Sequence, residues 1–418
     1  MTDTTWDFSP PPSSHLGDHD VRPLSRALDG RRVALMISGG IAAMKTPLLA
    51  RSLRKHGADV TAFVTDESLR YVTRDALEWS TTHPVIDRLS ADAEHLSDAA
   101  PFDAFLLPQA TYNTINKIAH GIADNPLTSA LASALGRMER GECAVLLCPT
   151  MHGTMHNSLL TESLTKLDTL GVRVIPPREE YGKHNIPHDD TFVIEIARAT
   201  TRSSLRGLRF LVTGGPTPVP IDNVRRIVNR FRGKLGIRMA EELYRRGADV
   251  LLVHGDGALQ PPEHLPHVVA RTYDEYRAGV HDNLADGAWD AAIFSAAVAD
   301  YRPKQVQEGK IPSGQTLTLE LEPTEKVIAE VRANHPGLHM VTFKYLERVS
   351  HDELMAVART RLETYETIIA NRGEETELGG PQVAWLLGRD TGPRRMRGKR
   401  NIARVLADHL EAELGADE

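Results

Sequence analysis

The amino-acid sequence predicts an α/β protein with two Rossmann-like, doubly wound domains. An apolar run at residues 32–37 leads into a turn of small residues at 38–43, followed by a helix and a second apolar run at 59–65. The same order of apolar run, glycine turn, helix and apolar run begins again at residue 208. Repeats of this kind form parallel sheets with helices on both faces. At 418 residues the chain is long enough for two or three domains.

The other strands and helices follow from the same pattern. In the first half of the chain, further strands are predicted at residues 104–107, 144–147 and 172–175. Short apolar runs bounded by turn residues are typical of strands buried in a parallel sheet. In the second half, a strand at 208–212 is followed by a helix at about 233–246. The two halves therefore repeat one architecture without an evident sequence duplication.

These elements predict the domain boundaries. Residues 1–28 are polar and rich in proline, so we expect a flexible amino-terminal segment there. The first domain is predicted at 29–192 and the second at 205–418. A polar linker at 193–204 is expected to connect them.

Composition and charge restrict the class of protein. Hydrophobic residues make up 41% of the chain and charged residues 25%, which is ordinary for a globular protein. The net charge of −7 argues against general nucleic-acid binding, and nothing resembles a signal peptide or a membrane span. Cys143 and Cys148 lie in one apolar run, which predicts buried, reduced thiols rather than a disulfide or a zinc pair. We therefore expect a cytoplasmic protein.

The loop after the strand at 208–212 contains the groups most suited to binding a ligand. Its two glycines, Gly214 and Gly215, leave bare backbone N–H groups that can face an anion. Downstream, Asp222, Arg225 and Asn229 offer a metal ligand, a phosphate clamp and a neutral amide. This combination predicts a nucleotide or phosphate site, with Asp222 as a candidate ligand for Mg²⁺.

This loop resembles a known family. Residues 213–236 read TGGPTPVPIDNVRRIVNRFRGKLG, similar to the pattern TAGPTxEPIDxVRxIxNxSSGKxG of phosphopantothenate–cysteine ligases. Residues 296–303 read AAVADYRP, identical to a second word of that family. The resemblance implies that a carboxylate is activated by CTP as an acyl-cytidylate and then joined to the amine of cysteine. It also implies Mg²⁺ and dimers.

The resemblance implies roles for single residues. Lys310, ten residues after Asp300, matches the catalytic lysine, and Asn229 and Arg225 match two further catalytic residues. Asn229 has an alternative role as a helix cap. Phe231 and Arg232 replace two serines of the family pattern. The residues expected to bind substrate or nucleotide are Gly214, Gly215, Pro216, Thr217, Asp222, Gly233, Lys234, Ala297, Asp300, Phe343 and Lys344.

Small, hydroxyl-bearing and amide side chains also follow the strands of the first domain. Such groups can bind a phosphate and the polar edge of an aromatic ring system. The residues concerned are Ser38, Gly39, Gly40, Ile41, Ala42, Thr65, Thr111, Asn113, Thr114 and Met151. The stretch PQATYNTINKIAHGIADNPLT at 108–128 resembles a flavin-binding motif of the homo-oligomeric flavin-containing cysteine decarboxylases. That resemblance implies FMN bound at a subunit interface, in trimers, and makes His95 the active-site histidine.

Two departures from the decarboxylase pattern concern the substrate. The asparagine that engages the substrate carboxylate in that family is His152 here. The family's substrate clamp carries a cysteine, whereas residues 176–188 contain none, and Tyr181 or His184 would have to replace it as proton donor. We therefore expect a first domain that binds FMN but is not an ordinary decarboxylase.

Together the two resemblances indicate a bifunctional flavoprotein of coenzyme A biosynthesis. Its ligase domain would act on 4′-phosphopantothenate, cysteine and CTP. One alternative is a paralogue from a specialised pathway that joins a different acid and amine. Another is an FMN-binding regulatory or scaffold protein with little turnover. Homo-oligomers are expected, without nucleic-acid or membrane partners.

Overall fold

The computed structural model describes residues 8–96, 100–257, 259–314, 316–375 and 380–415. The chain divides into two units, the first ending at Thr200 and the second beginning at Thr201. Both contain parallel sheets with helices, which confirms the α/β fold class.

The first unit contains a five-stranded sheet and a small three-stranded antiparallel sheet. Its strands are β1 (Arg32–Ile37), β2 (Asp59–Val64), β3 (Ala104–Ala110), β4 (Ala144–Pro149), β5 (Met151–His152), β6 (Arg173–Val174), β7 (Arg178–Glu180) and β8 (Lys183–Asn185). Its helices are α1 (Thr46–Lys55), α2 (Arg74–Thr81), α3 (Tyr112–Ala119), α4 (Pro126–Glu139), α5 (Ser158–Thr169) and α6 (Asp189–Thr200). The large sheet has the order β2-β1-β3-β4-β6 with every pair parallel, so the strand order reverses between β1 and β3.

Strand β1 shows why the sheet strands are apolar throughout. Val33, Leu35 and Ile37 pack into the hydrophobic cluster on one face of the sheet. Ala34 and Met36, which alternate with them, pack into the cluster on the other face. Because successive side chains of a strand point to opposite faces, a strand covered on both sides has no solvent-facing position.

The second unit is built around an eight-stranded sheet with two short ribbons. Its strands are β9 (Arg209–Gly214), β10 (Val219–Pro220), β11 (Arg226–Ile227), β12 (Asp249–Gly255), β13 (His267–Ala270), β14 (Ala291–Phe294), β15 (Tyr301–Pro303), β16 (Leu321–Pro323), β17 (His339–Leu346), β18 (Thr367–Arg372), β19 (Val383–Gly388) and β20 (Arg394–Arg397). Its helices are α7 (Lys234–Arg245), α8 (Tyr273–Leu284), α9 (Val327–Asn334), α10 (His351–Leu362) and α11 (Lys399–Leu414).

The order of the large sheet is β13-β12-β9-β14-β17-β18-β19-β20. The pairs from β13 to β18 are parallel, and β19 and β20 are added antiparallel. The strand order reverses between β9 and β14. In open α/β sheets, ligands bind in the crevice outside the carboxyl ends of the strands at such a reversal. The motifs at 213–217 and 296–300 both lie there, because they follow β9 and β14.

The amino-terminal segment is more ordered than the sequence predicted. Residues 1–7 lie outside the described residues, but Leu28 is fully buried in the core of the first unit. The backbone N–H of Leu28 donates to His56 O at 2.8 Å, and that of Leu24 donates to Lys55 O at 2.7 Å. The expectation of a flexible segment up to residue 28 is therefore wrong for residues 24–28, because an apolar anchor and backbone bonds hold them.

The linker is shorter than the predicted range of 193–204. Helix α6 continues to Thr200, and Phe192, Val193 and Ile196 are buried in the core of the first unit. Their spacing places them on one face of α6. Polar residues next to them make this apolar face hard to recognise in the sequence. Residues 201–208, between α6 and β9, contain turns and no helix or strand.

The two cysteines carry free thiols, as predicted. Cys148 is buried and Cys143 is partly buried, and burial raises the pKa of the Cys143 thiol to about 11. Within the described part of the chain, no helix is both long and apolar enough to cross a membrane.

Replacing Leu28 with alanine should destabilise the first unit by about 2–5 kcal/mol, since the change leaves a cavity in a packed core. Leu24→Ala is the matched control, because Leu24 is 56% exposed and its backbone hydrogen bond does not depend on the side chain. Denaturant unfolding followed by circular dichroism measures both variants. Equal effects of the two substitutions would show that the segment is not anchored through Leu28.

Candidate functional site

Two loops meet at the crevice of the second unit. The backbone N–H of Ala297 donates to Gly215 O at 2.8 Å. The hydroxyl oxygen of Thr217, which is fully buried, accepts from the N–H of Ala299 at 2.8 Å. Pro216 and Ala297 also form an isolated parallel bridge. The two motifs that the sequence singled out are therefore side by side in the fold.

Asn229 is anchored to the second of these loops. Its Nδ2 donates to Ala297 O at 3.0 Å and to Val298 O at 3.1 Å. Since both amide protons are used in this way, Oδ1 is the atom available to a donor on a ligand. Helix α7 has Gly233 as its N-cap, so the alternative role of Asn229 as a helix cap is wrong.

Asp222 lies in the turn that precedes Asn229, and its side chain has no exposed surface. Oδ1 accepts from the N–H groups of Val224 at 2.8 Å and Arg225 at 2.6 Å. Oδ2 accepts from Arg225 Nη1 at 2.6 Å and from the N–H of Ile311 at 3.0 Å. Burial would raise the pKa of this carboxyl, but the hydrogen bonds outweigh it and hold the pKa well below its ordinary value.

The four hydrogen bonds of Asp222 are inconsistent with its expected role as a ligand for Mg²⁺. Both carboxylate oxygens are committed to protein donors and neither reaches the crevice. Among the described residues, no group of three or more His, Cys, Asp or Glu side chains is arranged to hold a metal ion. The geometry assigns Asp222 to the support of the surrounding loops instead.

Lys310 lies in the exposed loop between β15 and β16, next to the Asp222 turn. Its neighbour Gly309 accepts the N–H of Asn223 at 3.1 Å. Its other neighbour, Ile311, binds Asp222 and accepts from Arg225 Nη1 at 3.1 Å. The structure thus brings Arg225 and the Lys310 loop together, with the lysine side chain left exposed.

The amino end of helix α7 closes another side of the crevice. Gly233 has φ of +79°, which glycine tolerates and other residues rarely adopt, and Lys234 begins the helix. The first N–H groups of a helix are unpaired within it and favour an anion. The position of Gly233 and Lys234 at the start of this helix suits phosphate binding, which stays a prediction for them.

His254 is a site residue that the sequence analysis missed. It is the penultimate residue of β12, lies beneath the glycine loop, is 1% exposed, and its Nδ1 lies 2.7 Å from Gly255 O. A Cβ at Gly233 would lie 2.3 Å from His254 Nε2, so the close packing needs glycine. Burial lowers the pKa of His254, although its hydrogen bond with the backbone of Gly255 opposes this. The only signal in the sequence was a histidine that ends an otherwise apolar run.

Strand β17 carries Phe343 and Lys344, two of the residues expected to bind substrate or nucleotide. Phe343 and Lys344 are successive residues of the strand, so their side chains point to opposite faces of the sheet. Tyr345 shares the face of Phe343, and its ring centroid lies 6.2 Å from that of Phe231 in an edge-to-face arrangement. Asp300 is turned away to the surface, where Oδ1 binds Lys326 Nζ at 2.5 Å. Phe343 and Lys344 therefore do not line one face together.

In the first unit, the turn after β1 meets the end of β3. Ser38 Oγ donates to Gln109 O at 2.7 Å, and a Cβ at Gly40 would lie 3.1 Å from Thr111 Cγ2. A Cβ at Gly39 would lie 2.3 Å from Glu67 Cβ, so a side chain there would displace the loop after β2. These contacts place the predicted flavin-binding turn at the strand-order reversal of the first sheet.

The remaining residues predicted to bind flavin differ in their hydrogen bonds and in their exposure to solvent. Thr65 caps the short 3-10 helix after β2, and Thr111 caps α3 with its hydroxyl 3.0 Å from that of Thr114. Asn113 is exposed, as is Ile41 at 68%, whereas Ala42 is partly buried.

The loop after β4 carries Met151 and His152. Both are in β5, which pairs with β8, so the segment that stands in place of the family's clamp is a folded hairpin. His152 Nδ1 accepts from the N–H of Thr154 at 3.2 Å, which ties the ring to its own turn. His184 Nε2 lies 2.8 Å from His156 Nδ1, and Tyr181 is 94% exposed in the turn between β7 and β8.

His95 lies in the connection between α2 and β3. It is partly buried, and its Nδ1 is buried without a hydrogen-bond partner in the part of the chain that the structure describes. No hydrogen bond within the described ranges joins it to the turn at 38–42.

Comparisons with known proteins agree with this arrangement. A family model described as "Flavoprotein" matches residues 21–200, and one described as "DNA/pantothenate metabolism flavoprotein C-terminal domain" matches residues 205–414. The chain is 35% identical over 403 residues to the coenzyme A biosynthesis bifunctional protein CoaBC of Thermococcus kodakarensis, which covers 93% of this chain and 97% of that protein. It is 32% identical over 324 residues to CoaBC of Escherichia coli K12, covering 73% and 78% respectively.

Among solved structures, the C-terminal domain of CoaBC is 27% identical, covers 51% of this chain and 100% of that chain, and has a TM-score of 0.43. The family of this chain is shown by the sequence matches. The chain therefore belongs to the family of coenzyme A biosynthesis bifunctional proteins, with an amino-terminal flavoprotein domain and a carboxyl-terminal domain of an amide-forming ligase.

Proposed function

We propose that the carboxyl-terminal domain joins 4′-phosphopantothenate to cysteine with CTP as the activating nucleotide. The observation that carries the proposal is a set of hydrogen bonds between the predicted site segments: Gly215 and Asn229 both bind Ala297, and the turn at 221–225 binds the loop that contains Lys310. In the first step, a carboxylate oxygen of the acid attacks the α-phosphorus of CTP and pyrophosphate leaves. In the second, the amine of cysteine attacks the acyl carbon, CMP leaves, and the amine loses a proton.

The residues of the crevice suit different parts of this reaction. The glycine loop and the amino end of α7 offer backbone N–H groups to phosphate oxygens. Asn229 presents Oδ1 to a donor, and the ammonium of Lys310 would stabilise the charge that develops on the phosphoryl oxygens. The described residues offer no carboxylate cluster for Mg²⁺, so we propose that any Mg²⁺ enters bound to the triphosphate.

Replacing Lys310 with alanine should lower the rate of pyrophosphate release by about 100- to 1,000-fold, the usual effect of removing one group that stabilises developing charge. Lys304→Ala is the matched control, because Lys304 lies in the same loop but pairs with Glu320 at 2.9 Å. The assay combines CTP, Mg²⁺, phosphopantothenate and cysteine, with products identified by mass. Full activity of Lys310→Ala would contradict the proposed role.

A second candidate is a paralogue that joins a different acid and amine. The observation in its favour is Phe231, which replaces a serine of the family pattern and is 51% exposed beside Tyr345. An aromatic side chain there removes a hydroxyl donor and adds apolar surface. Pyrophosphate release with a panel of other acids, in the absence of release with phosphopantothenate, would select this candidate.

We propose that the amino-terminal domain binds FMN, which would supply a two-electron redox centre. The close approach of Gly39 to Glu67 and of Gly40 to Thr111 forms a cradle without side chains, and Ser38 and Thr111 place hydroxyls beside it. The side chain of Gln109, fully buried under this turn, has an oxygen without a hydrogen-bond partner among the described residues. These features suit a flat, polar-edged ligand with a phosphate.

Decarboxylation by this domain is expected to differ from that of its family. The hairpin of β7 and β8 contains no cysteine, and the ring of His152 is bonded to its own turn. We also propose homo-oligomers, with dimers of the ligase domain and trimers of the flavin domain, in the cytoplasm. Two free thiols support that location.

Replacing Gly39 with alanine should abolish retention of flavin, because the new Cβ would collide with Glu67 and shift the turn. Gly136→Ala is the matched control, since this glycine lies in helix α4 and its Cβ would meet nothing closer than Arg140 Nη1 at 3.9 Å. The measurement is the visible flavin absorbance of each purified variant, with circular dichroism to show that both fold. Equal flavin content in the two variants would place the flavin elsewhere.

A further inference from the structure

We propose that Asp222 is a positioning residue for the ligase reaction, because it clips the loop that carries Lys310 to the edge of the crevice. The clip consists of the turn at 221–225 and the loop at 307–311. The inference rests on the proposed catalytic role of Lys310 and adds to it the device that holds this lysine in place.

Hydrogen bonds join the two segments on both sides of the lysine. The N–H of Gln307 donates to Ile221 O at 3.0 Å, and that of Asn223 donates to Gly309 O at 3.1 Å. After the lysine, the N–H of Ile311 donates to Asp222 Oδ2 at 3.0 Å. The backbone is therefore held immediately before and after Lys310, while the side chain of Lys310 remains exposed.

Arg225 completes the clip from the other side. Its Nη1 donates both to Asp222 Oδ2 at 2.6 Å and to Ile311 O at 3.1 Å. One guanidinium nitrogen thus binds the carboxylate and the loop together. A guanidinium has five N–H donors, and the side chain of Arg225 is 37% exposed, so part of it remains free to face a ligand.

The loop at 304–311 has few buried side chains that could hold it in place. Every residue from Lys304 to Lys310 is exposed, and Ile311 is only partly buried. A segment without buried apolar side chains opens at low cost in free energy unless polar contacts fix it. The carboxylate of Asp222 has no exposed surface and accepts four hydrogen bonds, so it offers the loop a rigid, charged acceptor. Charge-assisted bonds of this kind are stronger than neutral ones.

Asp222→Asn tests the inference, because the side chain keeps its size but exchanges the charge and one acceptor oxygen for an N–H₂ group. The first readout is amide hydrogen exchange in the peptide around residues 307–312, which should become faster than in the wild type. The second is pyrophosphate release, for which kcat should fall by about 10- to 100-fold, as expected for a misplaced catalytic group. The KM for CTP should change by less than about threefold, because uniform binding of the nucleotide is retained.

Asp286→Asn is the matched control. Asp286 also pairs with an arginine, Arg209 Nη2 at 2.9 Å, and accepts a backbone N–H, that of Ala288 at 3.3 Å. Arg209 is the first residue of β9, so this pair is at the opposite end of the strand from the crevice. Exchange at 307–312 and kcat should match the wild type in this variant.

The double variant Asp222→Asn/Lys310→Ala separates positioning from a merely structural role. If Asp222 acts through Lys310, the double variant should be no slower than Lys310→Ala alone. Losses that multiply would overturn the inference, as would unchanged exchange in Asp222→Asn or faster exchange with unchanged kcat. If Asp222→Asn does not fold, Arg225→Gln tests the clip by exchange alone, because it removes both Nη1 bonds. If the wild type releases no pyrophosphate, the proposed reaction fails, while the exchange result still decides whether the clip exists.

Discussion

The site of the second unit depends on the hydrogen bonds between the loop after β9 and the loop after β14. The buried hydroxyl of Thr217 accepts from Ala299, and Ala297 donates to Gly215. These bonds form because β9 and β14 are neighbours at the point where the strand order reverses, so both loops leave the sheet at the same edge. They also fix the carbonyl groups of Ala297 and Val298, which orient the amide of Asn229. Loss of this pairing would release several parts of the crevice at once.

In the first unit, contacts between loops also form where the strand order reverses, although the strand order is different. Its reversal lies between β1 and β3, where Ser38 binds the carbonyl of Gln109 and the turn at 38–40 approaches Thr111. In both units, glycines and side chains with small hydroxyls take part in the contacts between these loops. Small residues are needed there because the two loops emerge from adjacent strands, which lie about 4.8 Å apart.

The chain differs from the family patterns quoted above in two places. Phe231, which packs edge-to-face with Tyr345, stands at a serine position, and the hairpin of β7 and β8, which pairs with β5, contains no cysteine. By contrast, the buried Thr217, the bonded Asp222 and the anchored Asn229 retain the residues of the family pattern. In the second unit, residues that hold the loops together by hydrogen bonds are thus those that match the family pattern.

Local patterns in the sequence are enough to predict the fold class, the presence of two units and the approximate positions of the main strands. The strand predicted at 208–212, for example, is found at Arg209–Gly214, because a continuous apolar run between turn residues is a local signal. The sequence also indicated the residues after β9 and β14 as site residues. It failed where the outcome depends on distant contacts, as for Leu28, whose burial anchors a segment that appears loose from its composition.

The partners of several of these residues come from distant parts of the chain and become visible only in the folded protein. Asp222 has the chemistry of a metal ligand, but its oxygens are occupied by donors from Val224, Arg225 and Ile311, the last of which is far along the chain. His254 is brought beneath the glycine loop by the pairing of β12 with β9. A local pattern records which groups a residue carries, whereas hydrogen bonds between distant segments determine which of those groups remain free to bind a ligand.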